Sequence, residues 1–239
     1  MAQHISRKEL KKDEVRDTLT HGIEEVLIHG KSIAYTVLVL AALALVVFGW
    51  RFYTERQTVK ASVAFDDAMK SFQARIRTAG EPVDAADVTY ADEKTKWSDA
   101  ARKFGEVAMT YPRTRPGQLA HYYAALSLEH LGNDAGARNW LEGLASSNEN
   151  FAPMAKFELA QIDDRSGKPA DAAKLYQELI AKPSVLVPKP VVMLALAEHY
   201  RASNVGEATK LYNQIKAEYP DTAISEQADQ ELALLPGKS

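Results

Sequence analysis

The chain has 239 residues, with 29 lysines and arginines against 32 aspartates and glutamates, and a formal net charge of −3 at pH 7. A balance of this kind, without a basic stripe, argues against a nucleic-acid-binding protein. Cysteine is absent, which excludes disulfides, thiolate metal sites, covalent haem attachment and a lipid-modified cysteine. After Arg51, enough chain remains for one domain with a sizeable core or for an array of repeats.

The first segment, residues 1–31, is polar and contains six basic and six acidic residues. Ser6 followed by Glu9 fits a capping box, and the apolar residues after it keep largely to helical spacing. We therefore expect an amphipathic helix that lies on lipid headgroups, docks on a membrane partner or frays. Gly22 and Gly30 disfavour a helix that runs unbroken into the next segment.

An uncharged run of 19 residues follows, from Ser32 to Trp50. As a helix it would be about 28 Å long, close to the roughly 30 Å thickness of the hydrocarbon layer of a bilayer. Ten of its residues are Leu, Val, Ile or Phe, which favour insertion, and an aromatic cluster follows its end. Residues 32–53 are therefore predicted to be one transmembrane helix.

Two other interpretations of this run are weaker. A buried core helix would seldom be flanked at both ends by basic residues, here Lys31 and Arg51. A cleaved signal peptide is suggested by an A-x-A pattern at residues 42–44, but the polar segment before the run is too long and the run continues past that point. Basic residues close to the span do not decide its orientation, whereas the whole N-tail favours a cytoplasmic N-terminus.

Residues 54–95 are predicted to be a stalk helix followed by a polar loop. No Gly or Pro interrupts the sequence from Glu55 to Ile76, and its apolar residues form one face, so the transmembrane helix can continue outward as a stalk. From Gly80 to Thr95 the sequence is polar and carries Pro82 and several acids, which is typical of a loop.

The remainder, residues 96–239, contains a repeat. Four regularly spaced segments share an alanine that is followed four residues later by a large apolar residue, at Ala100 and Phe104, Ala137 and Leu141, Ala172 and Tyr176, and Ala208 and Tyr212. The spacings between these alanines are 37, 35 and 36 residues. A small residue lets two helices approach closely, and the bulky one fills the gap to the next repeat. This period predicts a stack of helix pairs.

Helix-ending residues recur at fixed offsets from these pairs. Two segments close with a Tyr-Pro pair, at 111–112 and 219–220, and two carry a glycine before the alanine, Gly132 and Gly167. The pattern resembles the tetratricopeptide repeat over roughly residues 97–222. The expected fold class is therefore all-α, with a single N-terminal transmembrane helix followed by a tetratricopeptide-repeat-like α-solenoid and a C-terminal capping helix.

The resemblance also implies a binding surface, because the first helices of such repeats line a continuous concave face. The inward positions mix aromatics, methionines and a few charges, which suits varied apolar partners. The candidate protein-binding residues are Leu119, Tyr122, Leu126, Met154, Phe157, Gln161, Arg165, Met193, Ala197, Tyr200 and Arg201. The alternative is that these side chains pack against one another or against the C-terminal helix near residues 225–235.

Residues around the span carry a second resemblance. The segment from Gly30 to Tyr53, followed by Ala61, Ser62, Ala64, Phe65 and Ala68, is similar to the ancillary subunits of the SecYEG translocon. That resemblance implies an inner-membrane protein with a cytoplasmic N-tail and periplasmic repeats. Its implied partners are the secretion channel, envelope chaperones and unfolded clients.

Patterns of catalytic residues are missing from the sequence. Its six histidines match no metal-binding spacing, and acid pairs such as Asp163-Asp164 are interpreted as solvated helix faces. There is no phosphate loop, dinucleotide fingerprint or G-x-S-x-G motif. We expect no enzymatic activity, cofactor, metal, nucleic acid or small-molecule substrate.

Two functions remain open. One is a membrane-anchored translocon accessory or chaperone-like factor whose repeats hold polypeptides or envelope partners outside the cytoplasmic membrane. The other is a structural scaffold that joins a membrane complex through its span and further envelope proteins through its repeats. Partners distinguish the two, because a scaffold has a fixed complex and a chaperone has many unfolded clients.

Overall fold

The structure, a computed structural model, describes residues 7–78, 80–81, 88–146 and 150–235, with the side chains of residue 32 and of residues 34 onward in these ranges. The described residues form nine α-helices and one pair of short strands, which confirms the predicted all-α fold class. The helices are α1 Arg7–Gln73, α2 Glu93–Thr110, α3 Arg115–His130, α4 Asp134–Ala145, α5 Ala152–Arg165, α6 Pro169–Ala181, α7 Lys189–Tyr200, α8 Val205–Glu218 and α9 Ala223–Ala233. The strands are β1 Arg75–Ile76 and β2 Thr89–Tyr90, which pair in parallel.

By its internal contacts the chain divides into two units, Met1–Arg56 and Gln57–Ser239. In the first unit the backbone is helical from Arg7 onward, so the interruption expected at Gly22 and Gly30 is not observed. Ser6, the first residue of the predicted capping box, lies outside the described residues, as does Pro82 of the predicted loop.

The apolar run exposes its side chains along the first unit. Leu45, Phe48 and Trp50 are 74%, 73% and 64% exposed, and the most apolar window of the helix has no buried residue. By length and composition, the part of α1 that begins at Ala34 is able to cross a membrane. A water-exposed surface of this kind would be costly, since each buried methylene gains about 0.8 kcal/mol.

In the second unit, α2 to α9 each pack against the next helix in the chain. The four alanines of the predicted repeat and their large apolar partners lie on α2, α4, α6 and α8, and all eight side chains are at most 2% exposed. They belong to four successive core clusters, one for each helix pair. The close packing expected of the repeat is therefore present at every predicted position.

Turns between the helices follow the predicted signals. Gly132 and Gly167 end α3 and α5 with φ of 70° and 72°, a left-handed backbone that glycine adopts without strain. The two Tyr-Pro pairs end α2 and α8, and each is followed by a threonine whose hydroxyl caps the next helix, Thr114 for α3 and Thr222 for α9.

The last turns of α1 are part of the first core cluster. Ala61 and Ala68 are fully buried, and Phe72 packs edge-on against Phe104 of α2 and Tyr123 of α3. The sequence analysis treated this segment as a stalk, because no Gly or Pro interrupts it and its apolar residues form one face. In the structure it takes the place of a first helix beside α2.

A polar cluster joins the end of α1, β2 and α2. The Asp99 carboxylate accepts hydrogen bonds from Ser71 and Tyr90, at 3.1 and 2.5 Å, and from Arg102 at 2.6 Å. Burial acts to raise the pKa of Asp99, but these hydrogen bonds and the charge of Lys103 outweigh it and lower the pKa to about 2. The ionised carboxylate therefore holds the strand pair against α2.

Candidate functional site

Polar contacts connect the first helices of successive repeats, α3, α5, α7 and α9. We call these four contacts the inter-repeat ladder: Tyr122 with Glu158, Glu129 with Arg165, Asp164 with His199, and Arg201 with Glu231. Their partners lie 36, 36, 35 and 30 residues apart, close to the repeat period. Each neighbouring pair of these helices is therefore joined by at least one polar side-chain contact.

Between α3 and α5 the ladder has two contacts. The Tyr122 hydroxyl donates to Glu158 Oε1 at 2.7 Å, and Gln161 Nε2 donates to the other oxygen of Glu158 at 3.2 Å. About two helical turns further along both helices, Arg165 Nη2 donates to Glu129 Oε2 at 2.6 Å. Glu158 is thus held by two neutral donors, whereas Glu129 is paired with a cation.

Between α5 and α7 the ladder centres on Asp164. Its carboxylate accepts a hydrogen bond from Tyr176 at 3.2 Å and pairs with Nδ1 of His199, whose side chain is only 5% exposed. Arg201 then donates to Glu231 of α9 at 2.6 Å. These contacts fix the spacing of the first helices along one side of the array.

A groove of about 710 Å³ lies beside this part of the ladder, between α5 and α7. Its apolar lining comes from Phe157, Pro169, Val191, Leu194 and Ala195, and its polar lining from Gln161, Asp164, Arg165, Tyr176, Glu198, His199, Ser203 and Gln227. A concave surface with an apolar floor and a polar margin suits a peptide segment, whose apolar side chains and backbone need both kinds of contact.

Carboxylates dominate the electrostatics of this side of the array. Burial raises the pKa of Glu158, against the hydrogen bond from Tyr122 that lowers it. Burial also raises the pKa of Glu198, helped by repulsion from Glu231, and that of Glu129, against the hydrogen bond from Arg165. The carboxylates of the first helices are therefore only partly compensated by positive charge.

Most of the predicted binding residues lie where they are partly accessible. Phe157, Gln161 and Arg165 line the groove, and Tyr122, Gln161, Arg165 and Arg201 belong to the ladder or donate to it. Leu119, Leu126, Met154 and Tyr200 are half-buried. The structure thus brings the charged and polar members of the predicted face together across α3, α5 and α7.

Two predicted binding residues are not available to a partner in this structure. Met193 and Ala197 are 1% and 0% exposed and belong to a core cluster with Ala228 and Leu232 of α9. For these two positions the alternative interpretation, packing against the C-terminal helix, applies. The cause is that α9 closes the last repeat and covers the inward face of α7 there.

The acid pair Asp163-Asp164 is not the solvated helix face that the sequence predicted. Asp163 is 4% exposed and pairs with Arg138 of α4, while Asp164 is bound by Tyr176 and His199. The sequence analysis also missed Glu158 and Glu198. The sequence could have indicated both, because Glu158 lies three residues before the predicted inward residue Gln161, and Glu198 three before Arg201. Residues three apart lie on the same helix face.

The described histidines contact aromatic or acidic side chains. His130 stacks on Trp97 with ring centroids 3.8 Å apart, and His121 meets Trp140 edge-on. Within the described ranges, the structure brings no three histidine, aspartate or glutamate side chains into an arrangement that could hold a metal ion.

Comparison with known proteins identifies the repeats. A family model described as a tetratricopeptide repeat-like domain matches residues 28–183, which confirms the predicted repeat type. No curated protein matches the sequence. Among solved structures, this chain is similar to the nearly identical TPR-like repeats of a kinesin light chain from Podosopora anserina, with a TM-score of 0.49 and 17% sequence identity. The match covers 59% of this chain and 78% of that one. The resemblance to ancillary translocon subunits stays a prediction.

Proposed function

The chain belongs to the tetratricopeptide repeat-like domain family, and we propose that it is a membrane-anchored module that binds polypeptide segments in the groove between α5 and α7. Repeats of this kind are interaction scaffolds, and stacking makes their inward face continuous. The observation that carries the proposal is the groove itself, with Phe157 and Leu194 in its apolar lining.

The proposed membrane anchor is the apolar part of α1. Between Tyr35 and Tyr53 the large apolar side chains are all at least half exposed, and no charge interrupts the run from Ser32 to Trp50. Lipid covers such a surface without unsatisfied polar groups, because a helix bonds its own backbone internally. The proposed topology places the N-tail in the cytoplasm and the repeats outside the inner membrane.

Within this function we propose a translocon accessory or chaperone-like role. Its support is the similarity of residues 30–53 to the ancillary translocon subunits, together with a groove whose aromatic and aliphatic lining suits varied extended segments. The competing role is a scaffold of one membrane complex. The two roles differ in how many different chains occupy the groove.

Photocrosslinking in intact cells tests the proposal. A photoreactive residue replaces Phe157 in the full-length chain, and a matched control places it at Lys174, which is exposed on α6. A chaperone-like role predicts many crosslinked polypeptides from position 157, with the secretion channel co-purifying. One stoichiometric product would instead indicate the scaffold, and equal yields at the two positions would contradict binding in the groove.

A further inference from the structure

We propose that the groove selects polypeptide segments in which a lysine or arginine lies beside an apolar residue. The inference rests on the proposed function and adds the chemistry of the partner. It follows from an imbalance of charge along the inter-repeat ladder, and from the Glu198 side chain, which lines the groove without an ion pair among the described residues.

The imbalance is visible among the described residues of α3, α5, α7 and α9. The ladder and the groove together contain five carboxylates, Glu129, Glu158, Asp164, Glu198 and Glu231, but only two guanidinium groups, Arg165 and Arg201. Both guanidinium groups are already engaged at 2.6 Å, with Glu129 and Glu231. Of the five carboxylates, Asp164, which is paired with His199, and Glu198 line the groove beside its apolar side chains.

Two of these carboxylates, Glu158 and Glu198, form no ion pair in the described part of the chain, although the charges of Arg165 and Arg201 act on them from further away. Glu158 accepts hydrogen bonds from Tyr122 and Gln161 alone, which are neutral donors. The Glu198 side chain lines the groove and makes no hydrogen bond or ion pair with the described residues. Burial and the charge of Glu231 raise its pKa, while the charge of Arg201 lowers it, so a further cation brought next to it would stabilise the carboxylate.

The apolar and acidic parts of the groove are adjacent. Leu194 and Glu198 are one helical turn apart on α7, and both line the groove together with Val191. A segment that places an apolar side chain against Leu194 can therefore direct a neighbouring cation toward Glu198. An acidic side chain in that position would be repelled, which disfavours acidic segments.

The test measures binding of three matched peptides to the full-length chain in lipid nanodiscs by fluorescence anisotropy. The peptides share one unstructured sequence with regularly placed leucines and differ only in the residue beside each leucine, which is lysine, glutamine or glutamate. We expect the lysine peptide to bind about tenfold more tightly than the glutamine peptide at low salt, with the difference shrinking as salt screens the charges. The glutamate peptide should bind most weakly.

Variants of the full-length chain assign the preference to the groove. Glu198→Gln, alone or with Glu158→Gln, should abolish most of the preference for lysine over glutamine, since the amide keeps the shape and loses the charge. Glu142→Gln, an exposed position on α4, is the matched control and should leave the preference intact. Thermal unfolding of each variant checks that the fold is retained.

Each other outcome contradicts a defined part of the proposal. Equal binding of the three peptides, or an unchanged preference in the Glu198→Gln chain, would overturn the charge selectivity and leave the proposed groove function standing. Tighter binding of the glutamate peptide would also overturn the charge selectivity, and would indicate that Arg165 and Arg201 recognise the peptide. Absence of binding by all three peptides, together with no crosslinking from position 157, would overturn the proposed function itself.

Discussion

Arg138 of α4 and Asp163 of α5 form a buried ion pair, with Nη2 2.5 Å from Oδ1 and the aspartate side chain only 5% exposed. Arg138→Met keeps the aliphatic stem but leaves the carboxylate buried without its cation. We expect the free energy of unfolding to fall by about 3 kcal/mol, measured by urea denaturation of the full-length chain.

An exposed arginine provides the comparison for that variant. Arg102 pairs with Asp99 and Glu106 on α2, but its own side chain is 56% exposed. Arg102→Met should lower the free energy of unfolding much less than Arg138→Met, as is usual for surface ion pairs. Similar losses in the two variants would mean that burial of Asp163 does not determine the strength of its pair.

Overpacking tests the repeat register. Ala172 is fully buried on α6 among Val192 and Leu196 of the same core cluster, whereas Ala170 on the same helix is exposed. Ala172→Leu should therefore lower the stability by about 1 to 3 kcal/mol, and Ala170→Leu should change it little. Melting temperatures of the two variants that fall equally would contradict the close packing at Ala172.

Acid should weaken the cluster around Asp99. Its pKa is lowered from 3.8 to about 2, so the folded state binds fewer protons than the unfolded state between these values. The contribution of the ionised Asp99 to the free energy of unfolding is therefore complete above pH 4 and is lost as the pH falls toward 2. Asp99→Asn should lower the melting temperature at pH 7 and have little effect at pH 2. A constant difference across this range would contradict the ionised carboxylate as its source.

Loss of an aromatic side chain from the groove should weaken binding. Phe157 lines the groove and contacts the Tyr176 ring, with centroids 5.9 Å apart. Phe157→Ser should cost about 2 kcal/mol of binding free energy, close to a thirtyfold change in affinity for an unfolded client. Met109→Ser, on an exposed part of α2, removes apolar surface elsewhere and should have no effect. Equal affinity of the two variants would favour the scaffold role.

Single cysteines report the proposed topology, because the chain has none of its own. Thr20→Cys lies in the N-tail, and Ser166→Cys lies in the exposed turn after α5. An impermeant thiol reagent applied to spheroplasts should label position 166 and not position 20. Labelling of position 20 alone would reverse the topology and remove the support for an extracytoplasmic role.

Local sequence patterns predicted the repeats, whereas the burial of the predicted binding residues and the pairing of the strands depend on contacts between distant parts of the chain. Ala172 and Tyr176 are recognisable because helix packing needs a small and a large residue at that spacing, a requirement visible within one turn. Met193 looked equally suited to a binding face, but the packing of α8 and α9 against α7 buries it. The parallel pairing of Arg75 with Thr89 spans two residues on each strand, too few for any periodic signal.

Each contact of the inter-repeat ladder joins a repeat only to its neighbour, and this has a mechanical consequence. When the membrane end is held and the C-terminal end is pulled, the Tyr122–Glu158 and Arg201–Glu231 contacts carry the same tension, because the repeats are arranged in series. Under tension the array should therefore lengthen in steps, beginning at its weakest contact. A client or partner pulling on the last repeat would extend the protein gradually rather than unfold it at once.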